Sequence, residues 1–137
     1  MKADQVGALC VRRRANGSCQ VLLVTSRDTG RWIIPKGWRA KRLKDHEAAA
    51  READEEAGVS GKVTSKPIGK YSYPKIDDAG ARSLRVAVFL LQVRRERDHW
   101  PERHQRRRAW FDVREAAKEV GEPELRTLIK GVEHLAA

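Results

Sequence analysis

Residues 83–93, SLRVAVFLLQV, form the most apolar run in this chain of 137 residues. The run is rich in β-branched residues, so it predicts a strand at the centre of a sheet. A central strand needs further strands beside it and helices packed on the sheet. The remaining sequence supplies both, with strands around one early helix and more helices at the end. This arrangement predicts a mixed α/β sandwich.

The other segments can be placed by turn and capping signals. Asn16–Gly17 would close a two-residue hairpin between the first two strands, in a register that pairs Cys10 with Leu23. A helix should begin at Asp45 as its N-cap and end at Gly58. Before this helix we expect strands at 5–13, 19–26 and 31–35 and a basic loop at 36–44. After it we expect an extended segment at 60–73, a polar loop at 73–82, the central strand and a strand at 106–113. Two helices should follow at the C-terminus, with Pro123 in a first turn.

Chain length and net charge limit the number of domains and the class of partner. A chain of this length predicts one domain, residues 1–137, with a real hydrophobic core. It carries 29 basic and 19 acidic residues, a net charge of +10. Such a balance favours anionic partners, namely polyphosphates, nucleic acid or acidic membrane surfaces, and general solubility is the other explanation.

The cysteines and the N-terminus bear on location. Cys10 and Cys19 are not opposite each other in the expected hairpin, so we expect no disulfide. This fits a reducing cytosol, and we expect a cytoplasmic protein. The N-terminal residues lack the apolar stretch of a signal peptide, and we expect no membrane span or membrane partner.

Three glutamates, Glu52, Glu55 and Glu56, lie close together in this otherwise basic chain. In a helix, positions i, i+3 and i+4 share a face, so Glu52 neighbours the other two and their charges repel. A hard divalent cation, Mg²⁺ or Mn²⁺, would offset this repulsion through oxygen ligands. Arg51 could hold one carboxylate in a fixed orientation. The alternative is a solvated acidic face without function.

The opposite face of the same helix carries small residues. Ala49, Ala53 and Ala57 recur at intervals of four, which lets a helix pack close to a sheet. Close packing would hold the carboxylates on a rigid element, as a metal site requires.

Residues 37–59, GWRAKRLKDHEAAAREADEEAGV, resemble the Nudix box, usually written GX5EX7REUXEEXGU with U aliphatic. The positions that match the box are Gly37, Arg51, Glu52, Glu55, Glu56, Gly58 and Val59, with Ala53 at an aliphatic position. One position departs from the pattern, because Leu43 stands where the box has its first glutamate. The departure bears on loop geometry and activity more than on metal binding, since the family's main ligands lie in the second half of the box. Glu47 is a candidate substitute.

The resemblance implies a Nudix-type α/β/α sandwich with a mixed β-sheet and the Nudix loop-helix. It also implies hydrolysis of a phosphoanhydride bond with Mg²⁺ or Mn²⁺. Glu52 and Glu56 would be the main metal ligands and Glu55 a further one, with the carbonyl group of Gly37 as an extra ligand. One of these glutamates would accept a proton from the attacking water, and Arg51 would orient Glu52 or Glu55.

Two flanking segments, 21–37 and 100–120, resemble diphosphoinositol polyphosphate and diadenosine polyphosphate phosphohydrolases. This resemblance implies a polyphosphorylated small-molecule substrate. The candidate phosphate contacts are Arg27, Lys36, Arg39, Lys41, Arg106, Arg107 and Arg108, any of which could instead be an ordinary surface charge. The alternatives are removal of pyrophosphate from an RNA 5′ end, hydrolysis of a damaged nucleotide, or nucleic-acid binding by a domain with a decayed active site.

Overall fold

One long strand organises the sheet of this protein. The computed structural model describes residues 2–135, and within that range eight strands form a single sheet. The strands are β1 (Gln5–Arg13), β2 (Cys19–Thr25), β3 (Trp32–Ile33), β4 (Lys36–Trp38), β5 (Val59–Val63), β6 (Gly69–Asp77), β7 (Gly80–Glu96) and β8 (Arg108–Asp112). The helices are α1 (Asp45–Ala57), α2 (Val113–Glu119) and α3 (Pro123–Gly131), followed by a 3₁₀ turn at Val132–His134.

The 17-residue strand β7 borders three other strands. It runs parallel to β1 and antiparallel to β5 and β6, which pair with its C-terminal and N-terminal halves. On the other side of β1, the strands β2 and β4 pair antiparallel with it, and β2 also pairs with β3 and β8. The apolar run 83–93 lies inside β7, and the one parallel pairing makes the sheet mixed, so both predictions are confirmed.

The sheet has an apolar cluster on each face. Side chains alternate along β1, so Leu9 and Val11 join one cluster while Ala8 and Cys10 join the other. Helices α2 and α3 cover the first cluster, and α1 covers the second. These three layers are the predicted α/β/α sandwich.

Helix α1 lies close to the sheet, as its sequence predicts. Ala49, Ala53 and Ala57 have no exposed surface. The N-cap prediction was wrong by one residue, because Lys44 is the N-cap and its backbone N–H donates to the Glu47 carboxylate at 2.9 Å.

The first hairpin has a longer loop than the sequence predicts. Arg14 N donates to Ser18 O at 2.8 Å, so three residues, not two, form the loop. Gly17 takes the left-handed conformation with φ 86°, as the last residue of such a loop commonly does. The extra residue shifts the register, and Cys10 pairs with Leu22 instead of Leu23.

Two segments predicted as loops are partly strands. The basic segment 36–44 begins with β4, which pairs with β1. The polar segment 73–82 is the end of a hairpin, in which Asp77 of β6 pairs with Gly80 of β7. Its polar composition reflects exposure of the hairpin tip rather than a lack of regular structure.

Both cysteines are buried and free, so the expected absence of a disulfide is confirmed. Between residues 2 and 135, every helix is too short or too polar to span a bilayer.

Candidate active site

The C-terminal end of α1 is held by one neighbouring segment, residues 97–108. Each of the last four carbonyl oxygens of α1 accepts a hydrogen bond from it. The bonds run from Arg97 Nη2 to Asp54 O at 3.3 Å, from Glu102 N to Glu55 O at 3.1 Å, from Trp100 Nε1 to Glu56 O at 3.0 Å and from Arg108 Nη1 to Ala57 O at 2.7 Å. Asp54 O also accepts a bond from Gly58 N at 3.0 Å. Carbonyls at a helix C-terminus carry partial negative charge, so the donors from residues 97–108 stabilise the helix end. The segment is thereby fixed to the helix that carries the glutamates.

Gly58 makes this close approach possible. Its φ of 68° ends α1 in the left-handed conformation, as the sequence predicts. A Cβ atom at this position would lie 2.9 Å from side-chain atoms of both Trp100 and Arg108. Glycine is therefore required twice, for its backbone conformation and for its lack of a side chain.

Two of the three helix glutamates line a cleft beside α1. Glu56 is only 4% exposed, and its Oε1 has no hydrogen-bond partner within residues 2–135. Burial raises the pKa of Glu56 to about 8, although the nearby charge of Arg106 opposes the rise. Burial, and then the charge of Glu55, raises the pKa of Glu52. A buried carboxyl oxygen without a hydrogen bond is costly, and a coordinated metal ion would satisfy it.

The backbone of Gly37 packs directly against Glu52. A Cβ atom at residue 37 would overlap the Glu52 carboxylate group. Gly37 belongs to β4 and pairs with Val6 of β1, so the sheet fixes its position. The first glycine of the motif is thus required here by close packing against a motif glutamate.

Arg106 enters the cleft from the segment that caps α1. Its Nε donates to Glu102 Oε1 at 2.7 Å, its Nη1 donates to Thr25 O at 3.1 Å, and its Nη2 lies 3.7 Å from Glu56 Oε1. The side chain is 8% exposed. These contacts hold the guanidinium group in one orientation beside Glu56 Oε1, with which it forms an ion pair but no hydrogen bond.

Lys36 reaches the same cleft from β4. Its Nζ lies 4.6 Å from the centroid of the Tyr73 ring, an orienting cation–π contact. The Tyr73 hydroxyl in turn donates to Gln5 Oε1 at 2.7 Å. Burial lowers the pKa of Lys36, and the negative charge of Glu56 opposes this effect.

The cleft has a volume of about 420 Å³ and combines five basic with four acidic side chains. Its lining residues are Gln5, Ser26, Arg27, Asp28, Ile33, Lys36, Gly37, Trp38, Arg51, Glu52, Glu56, Tyr73, Lys75, Glu102 and Arg106. Carboxylates suit a hard cation, and Lys and Arg suit phosphate groups. The cleft can therefore bind a phosphorylated ligand together with a metal ion.

Seven of the site residues predicted from sequence line this cleft, namely Arg27, Lys36, Gly37, Arg51, Glu52, Glu56 and Arg106. The other five do not, namely Arg39, Lys41, Glu55, Arg107 and Arg108.

Those five residues make contacts elsewhere or face solvent. Arg39 Nε bonds to Asp45 Oδ1 at 2.9 Å, and Lys41 is exposed. Glu55 is 42% exposed, with an oxygen 3.9 Å from Arg51 Nε.

Arg107 and Arg108, which follow Arg106 in sequence, also make contacts outside the cleft. The guanidinium group of Arg107 lies 5.8 Å from the Trp32 ring centroid. Arg108 binds the end of α1 and stacks on Trp100 at 3.8 Å.

The position that departs from the motif has an apolar role. Leu43 is partly buried and packs against the apolar cluster under α1. Glu47, the candidate substitute, is exposed and lies outside the cleft lining. Among residues 2–135, Glu102 is instead the additional glutamate that faces the cleft.

Sequence reasoning missed several cleft residues, among them Glu102, Trp38, Tyr73 and Lys75. Tyr73 and Lys75 are two residues apart on β6, so they share a face of the strand. This spacing of two residues could have indicated a strand with both side chains on one face, but residues 73–82 were interpreted as a loop. For Glu102, no local pattern distinguishes it from other loop glutamates.

Residues 3–132 match the family model described as the NUDIX domain. This match includes the 37–59 motif and nearly all of the sheet and helices around it. This chain belongs to the Nudix family. In the terms of that family, α1 is the Nudix helix and carries Glu52, Glu55 and Glu56.

Two curated relatives are named as hydrolases. "Nudix hydrolase 12, mitochondrial" of Arabidopsis thaliana is 36% identical over 101 residues, which cover 71% of this chain and 50% of that protein. "Diphosphoinositol polyphosphate phosphohydrolase 3-alpha" of Mus musculus is 34% identical over 114 residues, which cover 81% of this chain and 66% of that protein. The chain spans about half the length of these Arabidopsis relatives.

A solved structure agrees with the Nudix fold. The crystal structure of a Caenorhabditis elegans Ap4A hydrolase superposes with a TM-score of 0.66 at 21% identity, covering 100% of both chains. At this level of identity, the similarity shows a common fold.

Nudix proteins generally require divalent metal ions, and the residues of this cleft fit one. The donors are oxygen atoms, which Mg²⁺ and Mn²⁺ prefer, and Glu56 Oε1 has no hydrogen-bond partner in the range 2–135. Within the same range, no three His, Cys, Asp or Glu side chains are already clustered for a metal ion. Mg²⁺ is commonly held by one or two carboxylates, with water and substrate phosphates completing its shell. Glu52 and Glu56 can meet that requirement.

Proposed function

We propose that this Nudix protein hydrolyses a phosphoanhydride bond in a polyphosphorylated small molecule, using Mg²⁺ or Mn²⁺. One observation carries the proposal: Glu56 Oε1 is buried without a hydrogen bond and lies 3.7 Å from Arg106 Nη2, in a cleft that Glu52 also lines. Burial of these charges costs desolvation free energy, and a cation on the glutamates together with a polyanion on the basic groups would offset that cost.

The acidic residues would bind the cation and move a proton. Glu52 and Glu56 are the proposed ligands, and the Gly37 carbonyl is a further candidate. A bound divalent cation lowers the pKa of the attacking water and neutralises charge on the phosphoryl oxygens. As the water oxygen bonds to phosphorus, one glutamate accepts the water proton, and the bridging P–O bond breaks to release the phosphate product.

The basic residues would hold the phosphate chain in line for this attack. Lys36 and Arg106 are fixed by Tyr73 and by Glu102, so little freedom is lost when a phosphate group binds. Arg27 lies at the exposed side of the cleft, where its Nη1 bonds to Gln105 Oε1 at 3.2 Å. This contact is easily exchanged for a phosphate oxygen.

For the substrate, we propose a dinucleoside polyphosphate or a diphosphoinositol polyphosphate. The net charge of +10 and the similarity to the mouse diphosphoinositol polyphosphate phosphohydrolase support this class. RNA with a 5′-triphosphate or damaged nucleotides would present the same bond to the same groups.

A substrate panel tests the proposal. The protein is incubated with diadenosine hexaphosphate, a diphosphoinositol polyphosphate or 5′-triphosphorylated RNA, in Mg²⁺, Mn²⁺ or EDTA, and products are resolved by ion-exchange chromatography. We expect metal-dependent cleavage of at least one of the first two compounds and no cleavage in EDTA. If only the RNA is cleaved, the substrate class is 5′-triphosphorylated RNA and not a polyphosphorylated small molecule. RNA binding that weakens steeply with salt, without cleavage of any compound, would support a nucleic-acid-binding domain instead.

For location, we propose a reducing compartment such as the cytosol, since both cysteines are buried and unpaired. Fractionation of cells that express the tagged protein tests this.

A further inference from the structure

Of the three exposed large apolar side chains in residues 2–135, namely Trp38, Ile76 and Leu135, Trp38 is the one in the cleft. It is 49% exposed, and it lines the cleft that contains Glu52 and Glu56. Exposed tryptophan is uncommon, because its large ring gains free energy from burial. An exposed ring at the wall of a ligand cleft is therefore a candidate binding surface.

The other three tryptophans are held by ring packing or by a hydrogen bond from the indole N–H. The Trp32 ring packs edge-on against Phe111 at 5.0 Å. Trp100 donates to Glu56 O at 3.0 Å, and Trp110 donates to Glu96 Oε2 at 3.0 Å. These contacts account for their positions by packing and hydrogen bonding, whereas Trp38 contributes an exposed ring to the cleft.

The backbone fixes Trp38 next to the acidic centre. It directly follows Gly37, whose missing side chain leaves space for the Glu52 carboxylate. Trp38, Glu52 and Glu56 all line the same cleft. Pairing with Gln5 of β1 holds the residue in the sheet. A ligand could thus touch the ring and reach the glutamates with an attached phosphate chain.

One basic side chain lies over the ring, and two others share the cleft with it. The Arg82 guanidinium carbon lies 5.5 Å from the ring centroid, and Lys36 and Lys75 line the same cleft. An aromatic face stacks on a planar ring, and cations bind phosphate groups. A nucleotide combines both chemical features, whereas an inositol phosphate has no aromatic ring to stack.

We propose that Trp38 is the nucleobase platform of this cleft and that it favours nucleoside polyphosphates over ligands without an aromatic ring. The proposal rests on the proposed function for the position of the phosphate chain. It narrows that function to one of the two substrate classes.

A pair of ligands that resist hydrolysis isolates the role of the ring. α,β-Methylene ADP and methylenediphosphonate share the phosphonate group and differ by the adenosine. Their affinities are measured by calorimetry for the wild type, Trp38→Ala, Trp38→Phe and the control Ile76→Ala, which alters an 81% exposed side chain outside the cleft lining.

We expect Trp38→Ala to weaken binding of α,β-methylene ADP by roughly tenfold or more, as loss of base stacking does elsewhere. Trp38→Phe should retain most of the affinity, and Ile76→Ala should match the wild type. Methylenediphosphonate should bind all four proteins equally. With hydrolysable diadenosine hexaphosphate, the Trp38→Ala change should raise KM and leave kcat nearly unchanged.

Three results would overturn the proposal. They are wild-type binding that gains nothing from adenosine, nucleotide affinity of Trp38→Ala within twofold of the wild type, and equal losses for both ligands. The last would indicate a general disturbance of the cleft. Neither ligand needs to be cleaved, so absence of hydrolysis in the substrate panel contradicts the proposed function without deciding this test.

Discussion

At the scale of single residues, burial raises the pKa of Glu56 into the range where proteins are usually studied. Its pKa is about 8 in the folded protein against an ordinary value of 4.5. Between these values the folded, metal-free protein keeps a proton that the unfolded chain releases. The resulting stabilisation is complete below pH 4.5 and is lost as the pH rises through about 8.

This difference predicts a pH-dependent free energy of unfolding. Through Glu56 alone, the stability of the metal-free protein should fall by up to about 1.4 kcal/mol per pH unit across that interval. Glu56→Gln cannot ionise and should lack this contribution. The free energy of unfolding of the wild type and of Glu56→Gln is measured by urea unfolding in EDTA at pH 5, 6.5 and 8. Equal pH dependence in the two proteins would contradict the assignment.

Gly37 gives a second prediction at this scale. A methyl group in Gly37→Ala would overlap the Glu52 carboxylate and displace it. Because misplacement by about 1 Å can reduce catalysis roughly a hundredfold, we expect a loss of that order in kcat. Gly131→Ala is the control, since a Cβ atom there meets no neighbour. Steady-state kinetics give kcat for both variants, and similar values of kcat would refute the role of Gly37.

At the scale of elements, the connection between α1 and residues 97–108 joins the glutamates to Arg106. Arg108→Ala removes a bond of 2.7 Å to the Ala57 carbonyl at the end of α1. Because this bond is charge-assisted and partly buried, we expect a loss of about 1.5 to 3 kcal/mol in the free energy of unfolding. Arg114→Ala, at an exposed position on α2, should change stability little. Thermal and urea unfolding compare them, and equal stability of the two variants would count against this connection.

Elements with a clear period or end signal were predictable from sequence. Helix α1 followed from its alanine spacing and Gly58, and β7 followed from its apolar run. The hairpin tip around Asp77 was missed, because its residues face solvent and show no apolar alternation. The register error at Gly17 arose because Asn-Gly closes loops of more than one length.

At the scale of the whole molecule, the Nudix motif identified the acidic wall of the cleft and left most of the basic wall undefined. Of seven candidate phosphate contacts, three line the cleft, namely Arg27, Lys36 and Arg106. The motif residues are neighbours in sequence, so helix geometry alone places them together. The basic residues come from separate strands and loops, and only the folded sheet determines which of them converge. Arg106 and Arg108 show this, since nearly adjacent residues serve the cleft and the end of α1.

The most direct test of the central claim compares Mg²⁺-dependent hydrolysis of diadenosine hexaphosphate by the wild type, Glu56→Gln and Glu119→Gln. Glu119 is an exposed residue at the end of α2, on the opposite face of the sheet, and controls for loss of a glutamate. If Glu56 holds the cation, the wild type and Glu119→Gln should release nucleotide at equal rates, and Glu56→Gln should be slower by at least about a hundredfold. Equal rates for all three proteins would contradict the claim that this buried carboxylate carries the chemistry.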